Sequence, residues 1–266
     1  MLQSKPYQPP PSLSILGLPV SIVTLETAVQ TISEWAKRRQ ENYVCVRDAH
    51  GVKLAAADAK FREIHHCAGM VTPDGMPLVW LLKLRSKHKC SRVCGADLLE
   101  ALCEGGEEIG LRHFFYGGKP GVAEALIANL KRQFPRLAVA GFCSPPFRSL
   151  TLEEDEAIVN EINKTCPDVV WVGLSTPKQE FWMRDHVGRI NGATLIGVGA
   201  AFDFHSGAVV RAPRWLRKSG FEWVYRFLSE PRRLGRRYLT VIPWFLANAL
   251  REQFNFYLSR LLTQRG

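Results

Sequence analysis

The sequence predicts an α/β protein: a Rossmann-like, mostly parallel sheet with helices on both faces, followed by a basic helical appendage. Three observations predict it. Short apolar runs alternate with helical stretches of about a dozen residues, the pattern of βα units. Several runs are apolar at consecutive positions, as strands covered on both faces require. Charge is also uneven, because Arg211 to Gly266 holds 12 Lys and Arg against 3 Asp and Glu, within a chain of net charge +10. The body is therefore nearly neutral and the positive end is suited to something anionic.

Taken in order, residues 1–12 are proline-rich and lack the apolar centre of a signal peptide, so a flexible leader and no export are expected. Residues 13–208 are expected to form the α/β domain, and 209–266 the basic amphipathic appendage. Asn42 to Val46 reads as a buried strand, followed by a helical pattern from Gly51 to about Cys67. Thr72-Pro73-Asp74-Gly75 is a tight turn leading into an apolar helix start at Leu78. His113 to Tyr116 is a second strand, ending on Gly117-Gly118-Lys119-Pro120-Gly121 before a helix from Val122 to Phe134. Ala138 to Phe142 is a third strand, and Thr151 with Glu154 makes a capping-box start for the next helix. Asp168 to Leu174 and Ala193 to Val198 complete the strands.

Hydrophobic content of 46% and charged content of 23% fit a folded soluble chain rather than a disordered one. Seven cysteines without a C-x-x-C pair point to reduced packing residues. The best membrane-span candidate, Tyr238 to Leu250, has 13 residues and contains Pro243 and Asn248. Spanning needs about 20, so the chain is expected to lie on a membrane at most.

In parallel sheets ligands sit beyond the carboxyl ends of the strands, which directs attention to the residues after each run. These are Arg47, Asp48 and His50, then Gly117, Gly118 and Lys119, then Ser175 to Glu180 with Gln179 among them, then Gly199, Asp203 and His205. The Gly-Gly-Lys-Pro-Gly turn offers backbone N–H groups to a phosphate at a helix start, although a turn needs glycine in any case. Asp74 on its rigid corner is either a turn aspartate or a general base. No Asp-x-Asp pair or metal-ligand spacing is present, and adjacent His65 and His66 point apart on a helix, so no metal and no cofactor are expected.

Together Thr72-Pro73-Asp74-Gly75, Arg92 to Asp97, Tyr116-Gly117-Gly118, Thr176 to Glu180 and Gly197 to Tyr238 resemble the WecG/TagA/CpsF glycosyltransferases. The resemblance spans roughly Leu13 to Tyr238. It implies a UDP-sugar donor and inversion at the anomeric carbon. It also implies a polyprenyl-diphosphate-linked saccharide acceptor at the cytoplasmic face of the membrane. Asp74 then matches the general base and Arg92 an arginine for catalysis or phosphate contact. Gln179 matches a donor-sugar residue, and Asp203 one near the nucleoside. Val46-Arg47-Asp48 departs from the family's Thr-x-Asn, which points away from the usual N-acetylmannosamine-type donor. Asp48, Gly117, Gly118 and Lys119 are the remaining donor-side candidates.

Bidentate arginine suits diphosphates, and Arg211, Arg214, Arg217, Arg226, Arg232, Arg233, Arg236 and Arg237 are expected to meet the acceptor diphosphate or an anionic membrane. Phe245, Leu246, Leu250, Phe254, Tyr257, Leu258 and Leu261 form a stripe at helical spacing that either joins this contact or packs on the domain. Two other classes stay open: a nucleotide-sugar-binding scaffold without catalysis, and a nucleic-acid module stacking bases on Trp215, Trp223 and Tyr225. The neutral body carries no nucleic-acid reader motif, so no nucleic acid is expected as partner. A homo-oligomer is compatible with the sequence.

Overall fold

A computed structural model describes residues 6–263. A hairpin comes first, β1 (Ser12–Ile15) and β2 (Leu18–Ser21), then α1 (Leu25–Lys37), β3 (Asn42–Arg47), α2 (Ala49–Ala57), α3 (Ala59–His66) and β4 (Met70–Pro73). Next come α4 (Met76–Arg85), α5 (Gly95–Ile109), β5 (Arg112–Gly117), α6 (Val122–Gln133), β6 (Ala138–Cys143) and α7 (Leu152–Lys164). The body ends with β7 (Val169–Gly173), α8 (Lys178–His186), β8 (Thr194–Gly197) and α9 (Ala201–Ser206). The appendage is α10 (Arg214–Ser219), α11 (Glu222–Ser229) and α12 (Pro231–Thr263).

The main sheet has six strands in the order β4-β3-β8-β7-β5-β6, and every pairing is parallel. Successive side chains alternate between its faces and build two cores. Cys45, Tyr116, Val170 and Val172 meet α2, α3, α4, α7, α8 and the hairpin on one face. Val44, Phe115, Trp171 and Ile196 meet α1, α5, α6 and α9 on the other. The expected Rossmann-like architecture is the one observed.

Local chemistry explains where the elements stop. The helical pattern after β3 divides at Asp58, whose carboxylate caps α3 by accepting from Lys60 and Phe61 N–H. Thr151 and Glu154 form both arms of the capping box that starts α7. Gly117, with φ of 120°, ends β5 where a Cβ would stand 2.7 Å from the Gly173 carbonyl, so no side chain fits. Residues 1–5 of the expected leader lie outside the described residues. Tyr7 is tied down, its N–H donating to Gln40 and its carbonyl accepting from Trp35.

α12 runs through Pro243 despite the missing N–H. Pro243 and Leu239 are both exposed, so water can satisfy the carbonyl that loses its partner. Leu234, Val241, Phe245 and Ala249 bury one side of this helix. Further along, Glu252 accepts from Leu16 N–H at 2.9 Å and pairs with Arg85 at 2.9 Å. Leu246, Leu250, Phe254, Tyr257 and Leu258 stay exposed, so the apolar stripe is divided between a docked face and an outer one. Leu261 has no described side chain. Among the described residues no helix is long and apolar enough to cross a membrane.

Candidate active site

Because the strands are parallel, the residues following them share one edge. The chain leaves β3 for one face of the sheet and the neighbouring β8 for the other, which opens a crevice between their carboxyl ends. Asp48 stands at that edge as the N-cap of α2, accepting from Gly51 N–H at 2.9 Å. Its other oxygen accepts from Arg237 of α12. Burial alone would raise the Asp48 pKa. Arg237, the Gly51 N–H and Arg47 outweigh it and hold the carboxyl below its ordinary value.

Asp74 follows β4, and its N–H donates to the Arg47 carbonyl at 2.8 Å, tying the ends of β3 and β4 together. Arg92 reaches the Asp74 Oδ1 through Nε at 3.2 Å and Nη2 at 3.1 Å, and its Nε also meets the Asp74 carbonyl at 2.6 Å. Burial pushes the Asp74 pKa up. Arg92 opposes this, the Asp48 and Glu222 charges reinforce it, and the net direction is upward.

A chain of alternating charge runs from Asp74 into the appendage. Arg92 Nη2 donates to Glu222 Oε2 at 2.7 Å, and Arg211 Nε lies 3.4 Å from Glu222 Oε1. Arg211 also meets Asp97 at 2.7 Å, and Arg217 meets the same oxygen at 3.2 Å. Cys94 donates its thiol to the other Asp97 oxygen at 3.0 Å. The guanidinium groups of Arg211 and Arg226 both lie over the Phe204 ring, at 5.9 and 5.5 Å from its centre. The appendage therefore folds back over the strand-end edge rather than trailing away.

Sequence reasoning missed Glu222 and gave Asp97 no role, though both lie in the motifs it singled out. The available signal was an acid standing alone among arginines, at Glu222.

Other expected residues are placed as follows. Gln179 is buried in the first turn of α8, against Gly197. Asp203 is partly buried in the first turn of α9. Gly118 gives its N–H to the Gly173 carbonyl at 3.2 Å, while Lys119 is exposed before the left-handed Gly121 that starts α6. His205 bonds the Ala96 carbonyl at 2.9 Å, a packing role between α9 and α5. Of the tail arginines, Arg211, Arg217, Arg226 and Arg237 contact the domain or its ion pairs. Arg214, Arg232 and Arg236 are exposed, and the Arg233 side chain lies outside the described residues. A cavity of about 630 Å³ opens beside Arg92, lined by Met76, Val79, Lys83 and Asp97 and by Arg214 and Arg217 of the tail. Among the described residues no three His, Cys, Asp or Glu side chains are grouped to hold a metal ion.

A sequence model described as the glycosyl transferase WecG/TagA/CpsF family matches residues 13–258. The chain is 31% identical over 199 residues to an N-acetylglucosaminyldiphosphoundecaprenol N-acetyl-β-D-mannosaminyltransferase of Bacillus spizizenii, covering 75% of each chain. It is 28% identical over 201 residues to a protein of the same description from Bacillus subtilis strain 168, covering 76% of each. The match extends from the first hairpin through most of α12, across both the strand-end edge and the appendage that covers it, and the chain belongs to the WecG/TagA/CpsF family of glycosyltransferases.

Proposed function

We propose that this protein transfers a sugar from a UDP-sugar to a saccharide carried on a polyprenyl diphosphate, with inversion and without a metal, at the inner face of the cell membrane. The observation that carries this reading is the Asp74 carboxylate, held at the strand-end edge by an arginine that also ties down the basic tail. The relatives' acceptor, a diphospholipid-linked sugar, supports the acceptor class.

Asp74 takes the proton of the acceptor hydroxyl as that oxygen attacks the anomeric carbon from the face opposite the leaving group. The bond from that carbon to the UDP oxygen breaks, and UDP departs with the electron pair. Arg92 grips only Oδ1 of Asp74, so the second oxygen can receive the proton. A carboxyl whose pKa is raised by burial is a better base than a free one, provided it stays ionised at the working pH.

The departing diphosphate carries charge that metal-free transfer must meet with protein groups. Arg92, Lys119, Arg211 and Arg237 are the cations this reading assigns to that charge. The cavity beside Arg92 sets apolar Met76 and Val79 beside Lys83, Arg214 and Arg217, with Asp97, Glu100 and Glu104 also in its lining; its cations are the groups that could meet a lipid diphosphate. The outer row of α12 and exposed Trp215 and Phe221 supply an apolar, arginine-flanked surface for an anionic membrane.

The test is a panel of UDP-sugars screened for thermal stabilisation, then for transfer to a short-chain polyprenyl-diphosphate sugar. One donor is expected to stabilise the protein and to be transferred. Binding without transfer to any acceptor would favour a nucleotide-sugar scaffold instead.

A further inference from the structure

Beneath the crevice lies a buried charge network that the proposed proton transfer does not use. Arg47, the last residue of β3, is 2% exposed, and Glu180 in α8 is fully buried. Glu180 Oε1 accepts from three donors: the Arg47 guanidinium, Thr176 Oγ1 at 3.1 Å and Gln179 Nε2 at 2.8 Å. Arg47 Nη2 also donates to Thr176 Oγ1 at 3.2 Å. Three polar atoms in this cluster are buried without a hydrogen-bond partner: Arg47 Nε, Glu180 Oε2 and Gln179 Oε1. Stability is a poor reason for such a cluster, because apolar side chains of similar volume commonly serve a core as well as a buried ion pair does.

The orientation of the Gln179 amide follows from this cluster. Its NH₂ must face Glu180, since turning it over would set two acceptor oxygens against each other. Its carbonyl oxygen then points away from the carboxylate. A Cβ placed on Gly199 would stand 3.5 Å from that oxygen, which locates it beside the turn between β8 and α9 that leads to Asp203. A Cβ on Gly197 would come within 2.9 Å of the Gln179 nitrogen, so the glycine there leaves room for the amide to lie across the strand end. Arg47 matters because its guanidinium donates to the same Glu180 oxygen that receives the amide, fixing where that acceptor stands.

We propose that Arg47 and Glu180 are positioning residues that hold the Gln179 amide with its carbonyl toward the crevice, where it accepts a hydrogen bond from a hydroxyl or N–H on the sugar of the donor. This rests on the UDP-sugar reading above and adds the polarity of one contact: the sugar must present a donor, not an acceptor, to Gln179. Arg47 occupies the unconstrained middle position between Val46 and Asp48, the two residues that depart from the family's Thr-x-Asn. Under this proposal the polarity of one sugar contact depends on a pair of charges that touch no ligand.

The experiment compares the affinities of UDP and of the best-bound UDP-sugar, measured calorimetrically on the full chain, for wild type and for Arg47→Met/Glu180→Leu. Both charges leave together in that variant, so none is left unpaired. UDP affinity should stay within about twofold, while the extra affinity contributed by the sugar falls roughly tenfold, the value of about one well-made hydrogen bond. Should the double variant not fold, Arg47→Gln/Glu180→Gln, which keeps polar side chains and also leaves no charge unpaired, is measured in its place, with the same direction expected. A variant that keeps the full sugar-dependent gain overturns the assignment. So does an equal loss for UDP and UDP-sugar, which would mean a general structural role. If wild type binds UDP but gains nothing from any sugar, the donor reading itself falls and this inference with it.

Discussion

Glu222 is the junction between the α/β body and its tail, and replacing it with glutamine isolates what that junction contributes. The carboxylate is 7% exposed and takes one short contact, Arg92 at 2.7 Å, and one long contact, Arg211 at 3.4 Å. Glutamine keeps the volume but removes the charge. Arg92 stays cationic, so the short contact loses the ion pair and keeps a singly charged hydrogen bond; the gap between charged hydrogen bonds, about 1.5–3 kcal/mol, and neutral ones, about 0.5–1.5, puts the loss at up to about 1.3 kcal/mol. The long contact adds little. That loss corresponds to a shift of up to about tenfold toward undocking of α10 and α11. Hydrogen exchange read peptide by peptide is the assay. Protection over residues 214–229 should fall by up to about tenfold, while α12 and the central strands hold. α12 should hold because Leu234, Val241, Phe245 and Ala249 dock it through apolar burial. A change below about twofold over 214–229, or an equal loss in α12, would show that the ion chain does not hold the tail.

Two further outcomes are expected. Arg92→Gln should move the acidic limb of the kcat/KM profile to higher pH. As the proposed base, Asp74 must be ionised; burial pushes its pKa above the ordinary carboxyl value and Arg92 is the charge that opposes the rise; a limb that stays in place or moves down would refute the pairing. Leu246→Glu/Leu250→Glu places two charges on the exposed row of α12. It should weaken binding to anionic vesicles at least about tenfold while thermal stability changes little; unaltered vesicle binding would move the membrane contact elsewhere.

Much of the fold was legible in residue patterns, because five of the six sheet strands are apolar runs bounded by turn residues. β4 was not, since Met70 to Pro73 is four residues long and merges with the turn that carries Asp74. The order of strands was not legible either: β7 and β8 enter between β5 and β3, and nothing local encodes that insertion.

For the candidate site, the strand-end rule directed attention to Asp48, Gln179 and Asp203, and the Pro-Asp-Gly turn to Asp74, without knowledge of their partners. The partners themselves are remote in sequence, Glu222 lying 130 residues from Arg92 and Arg237 lying 189 from Asp48. Local periodicity carries no information on such pairs. Arg47 was visible as a strand-end residue but its burial was not, because a charged residue at the end of an apolar strand usually marks the surface. Here Glu180 from the neighbouring α8 makes its burial tolerable. The apolar stripe of α12 was visible, but its division between Phe245 inside and Leu246 and Leu250 outside depended on which face the domain covers.

The most direct test of metal-free base catalysis by Asp74 is the turnover of Asp74→Asn, set beside its affinity for the same UDP-sugar. General-base catalysis contributes about 10²–10⁴-fold, so turnover should fall by at least about 10² while donor affinity stays within about threefold. A variant retaining more than about a tenth of wild-type turnover would contradict the assignment of Asp74 as the base.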